Sequence, residues 1–242
     1  IMVEKGMRRK ILVDNRVERF NIALLTALDA QDRRSWSGTY YYLAQSLQKH
    51  CGEVSFIGPL PAFSEMLLGR ITHKSAQLFL HKNFAFRHTR AVSKRYAKVA
   101  NMRLSGQSFD VIFALSGATE IAFLQTNIPI VLVEDANFAV LCDYHQHFSY
   151  LLDSSASQID DIQKRGISRA EMLLYPTTWA AKAAIENYHA DEQKTHVIPF
   201  GANLEKVPTK EKVFKKRQSD RCRLLFVGVD WGRKGGDIAL ET

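Results

Sequence analysis

Hydrophobic and polar residues follow one another along this chain in blocks that predict strands and helices in alternation. The runs predicted to be buried strands are residues 20–27, 54–57, 109–115, 128–133, 172–175 and 196–200. Continuous apolar runs of this length are typical of strands covered on both faces. Between the first two runs, Tyr40, Leu43, Ala44 and Leu47 recur at helical spacing after Gly38. The alternation predicts an α/β fold with a doubly wound parallel sheet, Rossmann-like, whose ligands bind at the carboxyl ends of the strands.

A seventh apolar run, residues 224–227, predicts another buried strand close to the end of the chain. It is followed by Gly228, a polar loop, the sequence Arg-Lys-Gly-Gly at 233–236 and the start of a helix. A strand, a glycine turn and a helix N-terminus with two cations favour a phosphate group. Because the chain ends at Thr242, we expect a truncated start of a second Rossmann-like domain. The predicted domains are an N-terminal extension at 1–19, a first domain at 20–206, and, at 207–242, a linker followed by the truncated start of the second domain.

Composition fits a folded, non-membrane-spanning chain. The 242 residues are 46% hydrophobic and 24% charged, which suffices for a sizeable core. No run approaches the length of a membrane-spanning helix, and the charged N-terminus lacks the apolar centre of a signal peptide. The cysteines Cys51, Cys142 and Cys222 are odd in number and far apart, as expected of free thiols in a reducing cytoplasm.

Positive charge is concentrated in one segment, residues 61–104. It holds nine Lys and Arg against one acid, Glu65, so its net charge of +8 equals that of the whole chain. Apolar residues interleave with the cations at helical spacing. A solvated helical face and a surface that docks on anionic lipid headgroups both fit this pattern. Nucleic acid fits it less well, since no recognition motif is present, and we expect none to bind. The predicted location is the cytoplasm, with a peripheral position on the inner membrane surface if the segment docks on lipid.

Four stretches, in this order along the chain, resemble a known family. They are the first strand with its loop and the Ser37-Gly38 helix start, the 170–179 strand and turn, Val-Ile-Pro-Phe-Gly-Ala-Asn at 197–203, and Phe-Val-Gly-Val-Asp-Trp-Gly-Arg-Lys-Gly at 226–235. The third is similar to the family's "VIPNGVD" hinge and the fourth to its "FVGRxxxxKG". In these stretches the chain resembles the first half of a GT-B glycosyltransferase of the large retaining family 4.

The resemblance implies two Rossmann-like domains that face each other across a cleft. The first would bind the acceptor, which is a glycan, a lipid or a small molecule, and the second a nucleotide-diphosphate sugar. The implied reaction is transfer of the sugar to an acceptor hydroxyl with retention, and needs neither cofactor nor metal. A chain that ends at Thr242 lacks most of the donor domain, so the resemblance implies that it is inactive by itself.

The resemblance also assigns roles to individual residues. Lys234 would bind the donor diphosphate, and the turn at Gly38 would face the donor phosphates. Val229 stands where the family has an arginine, and Arg233 would supply the missing charge. Many members have a histidine in the loop after the fourth strand; here Glu134 and Asp135 occupy that place, which makes Asp135 the candidate catalytic residue.

Each assignment has a plainer alternative. Gly38 fits a packing glycine, Asp135 a cap of the next turn, and Arg233 with Lys234 an ordinary charged turn. Cys142, His145 and His147 have loosely metal-like spacing, but fit a solvated aromatic loop better. Two other classes of function remain. A nicotinamide or flavin enzyme would need a G-x-G-x-x-G after the first strand, and residues 27–32 contain no glycine. A non-catalytic Rossmann-like binding module, or a basic domain that associates with a membrane surface, stays open.

Overall fold

The chain divides into two compact units, Ile1–Asn203 and Leu204–Thr242, which are described separately. The structure is a computed structural model that describes residues 19–142, 144–214, 224–228 and 230–242. The predicted extension therefore lies outside the described residues, apart from its last residue, Arg19.

The first unit is built on a six-stranded sheet in which every pair of neighbouring strands is parallel. Its strands are β1 (Phe20–Leu25), β2 (Gly52–Phe56), β3 (Val111–Leu115), β4 (Ile130–Val133), β5 (Met172–Tyr175) and β6 (Thr195–Val197). They lie in the order β2-β1-β3-β4-β5-β6. The predicted α/β class and parallel sheet are confirmed, and every strand predicted in this unit is present with its ends shifted by a few residues.

Helices connect the strands and cover the sheet. They are α1 (Thr39–His50), α2 (Phe63–Leu80), α3 (Arg90–Leu104), α4 (Ala118–Ile121), α5 (Phe138–Leu141), α6 (Asp153–Arg169) and α7 (Thr178–Tyr188). Short 3₁₀ turns lie at Ser35–Gly38 and Gln146–Phe148. The basic segment is helical as predicted, whereas the helix expected through Ile121 and Leu124 ends at Ile121.

Alternate residues of each strand point into two cores, one on each face of the sheet. On one face, Ala23, Ile112 and Leu132 pack against α3, α4, α6 and α7. On the other face, Ile22 and Leu24 pack against Tyr40, Ala44 and Leu47 of α1. Each fully buried isoleucine or leucine side chain among them stabilises the fold by about 2 kcal/mol. Helices on both faces make the sheet doubly wound, so its loops converge at the carboxyl ends of the strands.

The described residues of the second unit form two short helices, α8 (Lys210–Val213) and α9 (Gly236–Glu241). The strand predicted at 224–227 is wrong: these residues form no strand, and Leu224 and Leu225 are almost fully exposed. An apolar run becomes a strand only when a neighbouring strand accepts its hydrogen bonds, and the described part of this unit provides none. A second Rossmann-like domain therefore stays a prediction.

Candidate functional site

The strand order reverses between β1 and β3. From β1 the chain moves outward to β2, and then crosses back to β3 on the other side of β1. At such a point the two connecting loops leave in opposite directions and open a crevice at the carboxyl ends of the strands. The segments that follow β1, β3 and β4 therefore define the candidate site.

The turn before α1 has an unusual backbone. Trp36, Ser37 and Gly38 all have left-handed φ angles of 47°, 55° and 86°. For the two residues with side chains, this conformation costs on the order of 1 kcal/mol each. A Cβ at Gly38 would lie 3.3 Å from the carbonyl oxygen of Arg33, which explains the glycine. No side chain caps α1, and the N–H of its first residue, Thr39, donates to the carbonyl oxygen of Trp36, so the positive end of the helix dipole lies at this turn.

Residues from the end of β6 hold this turn in place. The side-chain amide of Asn203 donates to the carbonyl oxygen of Ser37 at 3.1 Å, and lies 3.3 Å from the hydroxyl of Thr39. The ring of Trp36 packs edge-on against Phe200 and also contacts Tyr40. Two segments more than 160 residues apart therefore meet at the carboxyl edge.

A buried carboxyl group lies beneath the crevice. Glu120, in α4 directly after β3, accepts a hydrogen bond through Oε1 from the backbone N–H of Ala27 at 3.2 Å. Its second oxygen, Oε2, has no partner among the described residues. Burial raises the pKa of Glu120 to about 8, and Glu134 adds to the shift. Glu120 is therefore largely protonated at neutral pH. Burial also raises the pKa of the Tyr96 hydroxyl, and the Glu120 carboxyl adds to that increase.

Two adjacent acids after β4 have different environments. Glu134 is buried, and its Oε2 accepts a hydrogen bond from the side-chain amide of Gln163 at 2.8 Å. Burial raises the pKa of Glu134 to about 7. Asp135 is exposed, and its Oδ1 accepts a hydrogen bond from the N–H of Ala136 at 3.0 Å. Asp135 thus makes the capping contact expected if it serves only as a cap of the turn. Its carboxyl group is also accessible from the crevice.

Partial desolvation also raises the pKa of Asp135. Burial raises the pKa of the Tyr40 hydroxyl, and Glu120 and Asp135 both add to that increase. Tyr40 of α1, Glu120 of α4 and Asp135 after β4 therefore interact electrostatically, although they come from three separate connections.

The first unit also contains a cavity of about 640 Å³. It is bounded by α2, the segment 83–88 and the 3₁₀ turn Gln146–Phe148, and its lining includes His73, His88, His147, Arg87, Phe86 and Phe148. His88 Nδ1 lies 3.0 Å from the hydroxyl of Thr119, next to Glu120. Burial lowers the pKa of His88 to about 4, with Arg87 and His147 adding to the shift. At neutral pH this imidazole is uncharged, so the cavity offers neutral hydrogen-bonding groups, aromatic rings and one arginine.

The described residues of the histidine-rich loop do not assemble a metal site. In residues 19–142, 144–214, 224–228 and 230–242, no three His, Cys, Asp or Glu side chains are placed to hold a metal ion. His145 and His147 instead stack, with ring centroids 5.2 Å apart. The helices of the same described ranges include none that is long and apolar enough to cross a membrane.

The donor-side residues predicted from the sequence belong to the second unit. Arg233 lies 3.9 Å from the carboxylate of Asp230 and is partly exposed. Lys234 packs its aliphatic stem over Gly228, where a Cβ would lie 3.0 Å from it. Trp231 covers Gly236 at the start of α9 and donates to Asp237 at 2.6 Å. The turn is therefore ordered by its own contacts, while Val229, at the position of the family's arginine, lies outside the described residues.

Sequence reasoning placed Gly38 and Asp135 at one edge of the sheet but missed two groups beside them. Glu120 falls in the apolar sequence Ala-Thr-Glu-Ile-Ala-Phe-Leu, and an acid in such surroundings was the available signal. His88 belongs to the basic segment, where nothing in the pattern distinguishes it from its neighbours.

Comparison with protein-family models and with curated proteins gave no match. The case for a function consequently depends on the site itself and on the order of the motifs.

Proposed function

We propose that the first unit is the acceptor-side domain of a retaining glycosyltransferase of the GT-B type. One observation carries the proposal: the Ser37-Gly38 turn and the 197–203 segment, which separately resemble motifs of that family, touch through Asn203 and Ser37. Such a contact at the carboxyl edge of a parallel sheet supports a shared binding function for the two segments. The substrates would be a nucleotide-diphosphate sugar and an acceptor hydroxyl, without a cofactor.

In this proposal the turn at Gly38 faces the donor diphosphate. The N-terminus of α1, which no side chain caps, offers the positive end of a helix dipole to the phosphate oxygens. For the second unit, the proposed role of Arg233 and Lys234 is diphosphate binding, and stabilisation of a departing diphosphate would supply most of the catalysis. The acceptor would occupy the cavity lined by His88 and Arg87, since His88 contacts Thr119, which follows β3 and precedes Glu120.

Asp135 is the proposed catalytic residue. It is the accessible acid of the pair that follows β4, whereas Glu134 is engaged by Gln163. Its accessible carboxylate would stabilise positive charge that develops on the sugar, or orient the acceptor hydroxyl. A protein that joins these residues to a complete nucleotide-sugar-binding domain is the form in which the role can be measured.

In that protein, Asp135→Asn is expected to lower kcat at least about tenfold, because the amide keeps the shape and loses the charge. Asp191→Asn is the matched control. Asp191 caps a turn in the same way, accepting from Gln193 N–H at 2.8 Å, but it precedes β6 and lies away from the carboxyl edge. Near-normal turnover of Asp135→Asn would mean that Asp135 serves only as a cap. An equal loss of turnover in both variants would mean that the effect comes from reduced stability.

A non-catalytic binding module is the second candidate. It is favoured by the second unit, whose described residues form no sheet on which a nucleotide could bind. The two candidates differ in one outcome. A binding module would hold a ligand in the His88 cavity and transfer no sugar, even when a complete donor domain is supplied.

A further inference from the structure

Helix α2 has most of its large apolar side chains on the outside. Its two fully buried positions are small, Gly69 and Ala76, seven residues apart, while Met66 is half-buried and packs against the core. A Cβ at Gly69 would lie only 2.6 Å from the Cβ of Phe86, so the helix needs a glycine to approach this closely. Seven large apolar residues of the helix are 48% to 77% exposed, and all but the last lie on one side of it; they are Phe63, Leu67, Leu68, Ile71, Leu78, Phe79 and Leu80.

The exposed apolar residues lie on one side of the helix in two groups, at 63–71 and at 78–79, which together are called the apolar stripe. Leu67, Ile71 and Leu78 follow one another at spacings of four and seven residues, which places them on one side of a helix. Leu68 and Phe79, eleven apart, widen that side. The helix has 18 residues and is about 27 Å long. A stripe of this length with six large apolar side chains is far from the scattered exposed residues of an ordinary surface.

Cations border the stripe. Arg70 and Lys74 are exposed and lie one turn apart, Arg70 at the edge of the first apolar group and Lys74 in the gap between the two groups. Arg87 follows the helix, and Arg70 and Arg87 both approach the ring of Phe86, at 5.7 and 5.8 Å from its centroid. Within the described part of the chain, no carboxylate lies at ion-pair distance from these three side chains. The positive charge beside the stripe is therefore uncompensated.

We propose that α2 docks on an anionic lipid surface, with its apolar stripe at the level of the acyl chains and its cations at the headgroups. A bilayer of this kind offers apolar and anionic chemistry together, and long basic side chains can extend from one to the other. A second copy of this chain fits less well, because it would bring the same unpaired cations face to face. The inference does not depend on sugar transfer, since binding to lipid is measured without a substrate.

The test is flotation of the 242-residue chain with vesicles of equal parts phosphatidylglycerol and phosphatidylcholine, and with phosphatidylcholine alone. We expect flotation with the anionic vesicles at low salt, and release as salt screens the contact. Leu68→Gln, Ile71→Gln and Phe79→Gln together should weaken partitioning at least about tenfold. Arg70→Gln, Lys74→Gln and Arg87→Gln together should weaken it by about a hundredfold at low salt. All the exchanged side chains are exposed or stack only on Phe86, so the fold should be retained, as circular dichroism would verify.

A matched control separates the α2 surface from net charge. Lys49→Gln, Lys182→Gln and Lys206→Gln remove the same number of exposed cations elsewhere, and should reduce partitioning much less than the α2 triple. Insertion has its own readout: Ile71→Trp should add fluorescence that brominated lipid quenches, while Ser157→Trp on α6 should not. Absence of flotation by the parent, an equal loss in the control, or unquenched Ile71→Trp would overturn the proposal. A fourth outcome would also overturn it: the parent chain forms a dimer and does not bind vesicles, and the apolar triple variant (Leu68→Gln, Ile71→Gln and Phe79→Gln) is monomeric.

Discussion

Raising the pH from about 5 to about 9 is expected to lower the free energy of unfolding by about 4 kcal/mol through Glu120 alone. The folded-state pKa of this carboxyl is about 8, against an ordinary value of 4.5. Between these two values the folded chain retains a proton that the unfolded chain has lost. Stability is therefore fully present below pH 4.5 and is lost as the pH rises through about 8. Glu134, with its pKa at about 7, acts in the same direction.

The measurement is urea unfolding followed by circular dichroism across this pH range. Glu120→Gln keeps the size of the side chain and an oxygen for the N–H of Ala27, and should flatten most of the dependence. Glu171→Gln is the control, because Glu171 is an exposed acid that pairs with Lys194 at 3.3 Å. An unchanged pH profile in Glu120→Gln would contradict the assignment of a buried, protonated carboxyl beneath the crevice.

Gly166→Val should destabilise the first unit by about 2 kcal/mol or more. Gly166 lets α6 lie directly on the start of α4, and a Cβ there would be 2.9 Å from both Cα and Cβ of Ala118. Because the clash is with backbone, the two helices must separate. Gln163, one turn earlier on α6, would then lose its 2.8 Å hydrogen bond to Glu134. The clash thus affects both the core and the acids at the carboxyl edge.

Urea midpoints of Gly166→Val and of Ser157→Val give the comparison. Ser157 lies on the exposed side of the same helix, and a substitution there should change stability by less than about 0.5 kcal/mol. Equal stability of the two variants would show that α6 does not pack as closely on α4 as the structure describes. A shift of Glu134 titration in Gly166→Val, followed by NMR, would link the packing to the site.

The parallel sheet could be predicted because a strand buried on both faces carries its own signal. Residues 111–115 and 130–133 are uninterrupted apolar runs, and both are strands. The run at 224–227 has the same signal and is not a strand, because strand formation also requires a neighbour that the sequence pattern does not identify. Local pattern therefore predicts what a segment can form, and pairing decides whether it does.

The candidate site could be predicted only in part, for a related reason. Gly38 and Asp135 follow strands, and the ends of parallel strands meet at one edge. The burial of Glu120 depends on the helices that cover it, and the His88 cavity on segments about 60 residues apart. The sequence pattern could not predict which way the α2 stripe faces either, because helical spacing shows which residues share a side of the helix but not which side faces the core.

The central claim is that the carboxyl edge of the first unit takes part in retaining sugar transfer. It is tested most directly by joining these residues to a complete nucleotide-sugar-binding domain and screening nucleotide sugars against glycan, lipid and small-molecule acceptors. NMR of the first product formed reports the configuration at the transferred anomeric carbon. We expect the configuration of the donor to be kept in that product. An inverted product, or a donor that binds while no acceptor is ever glycosylated, would contradict the account.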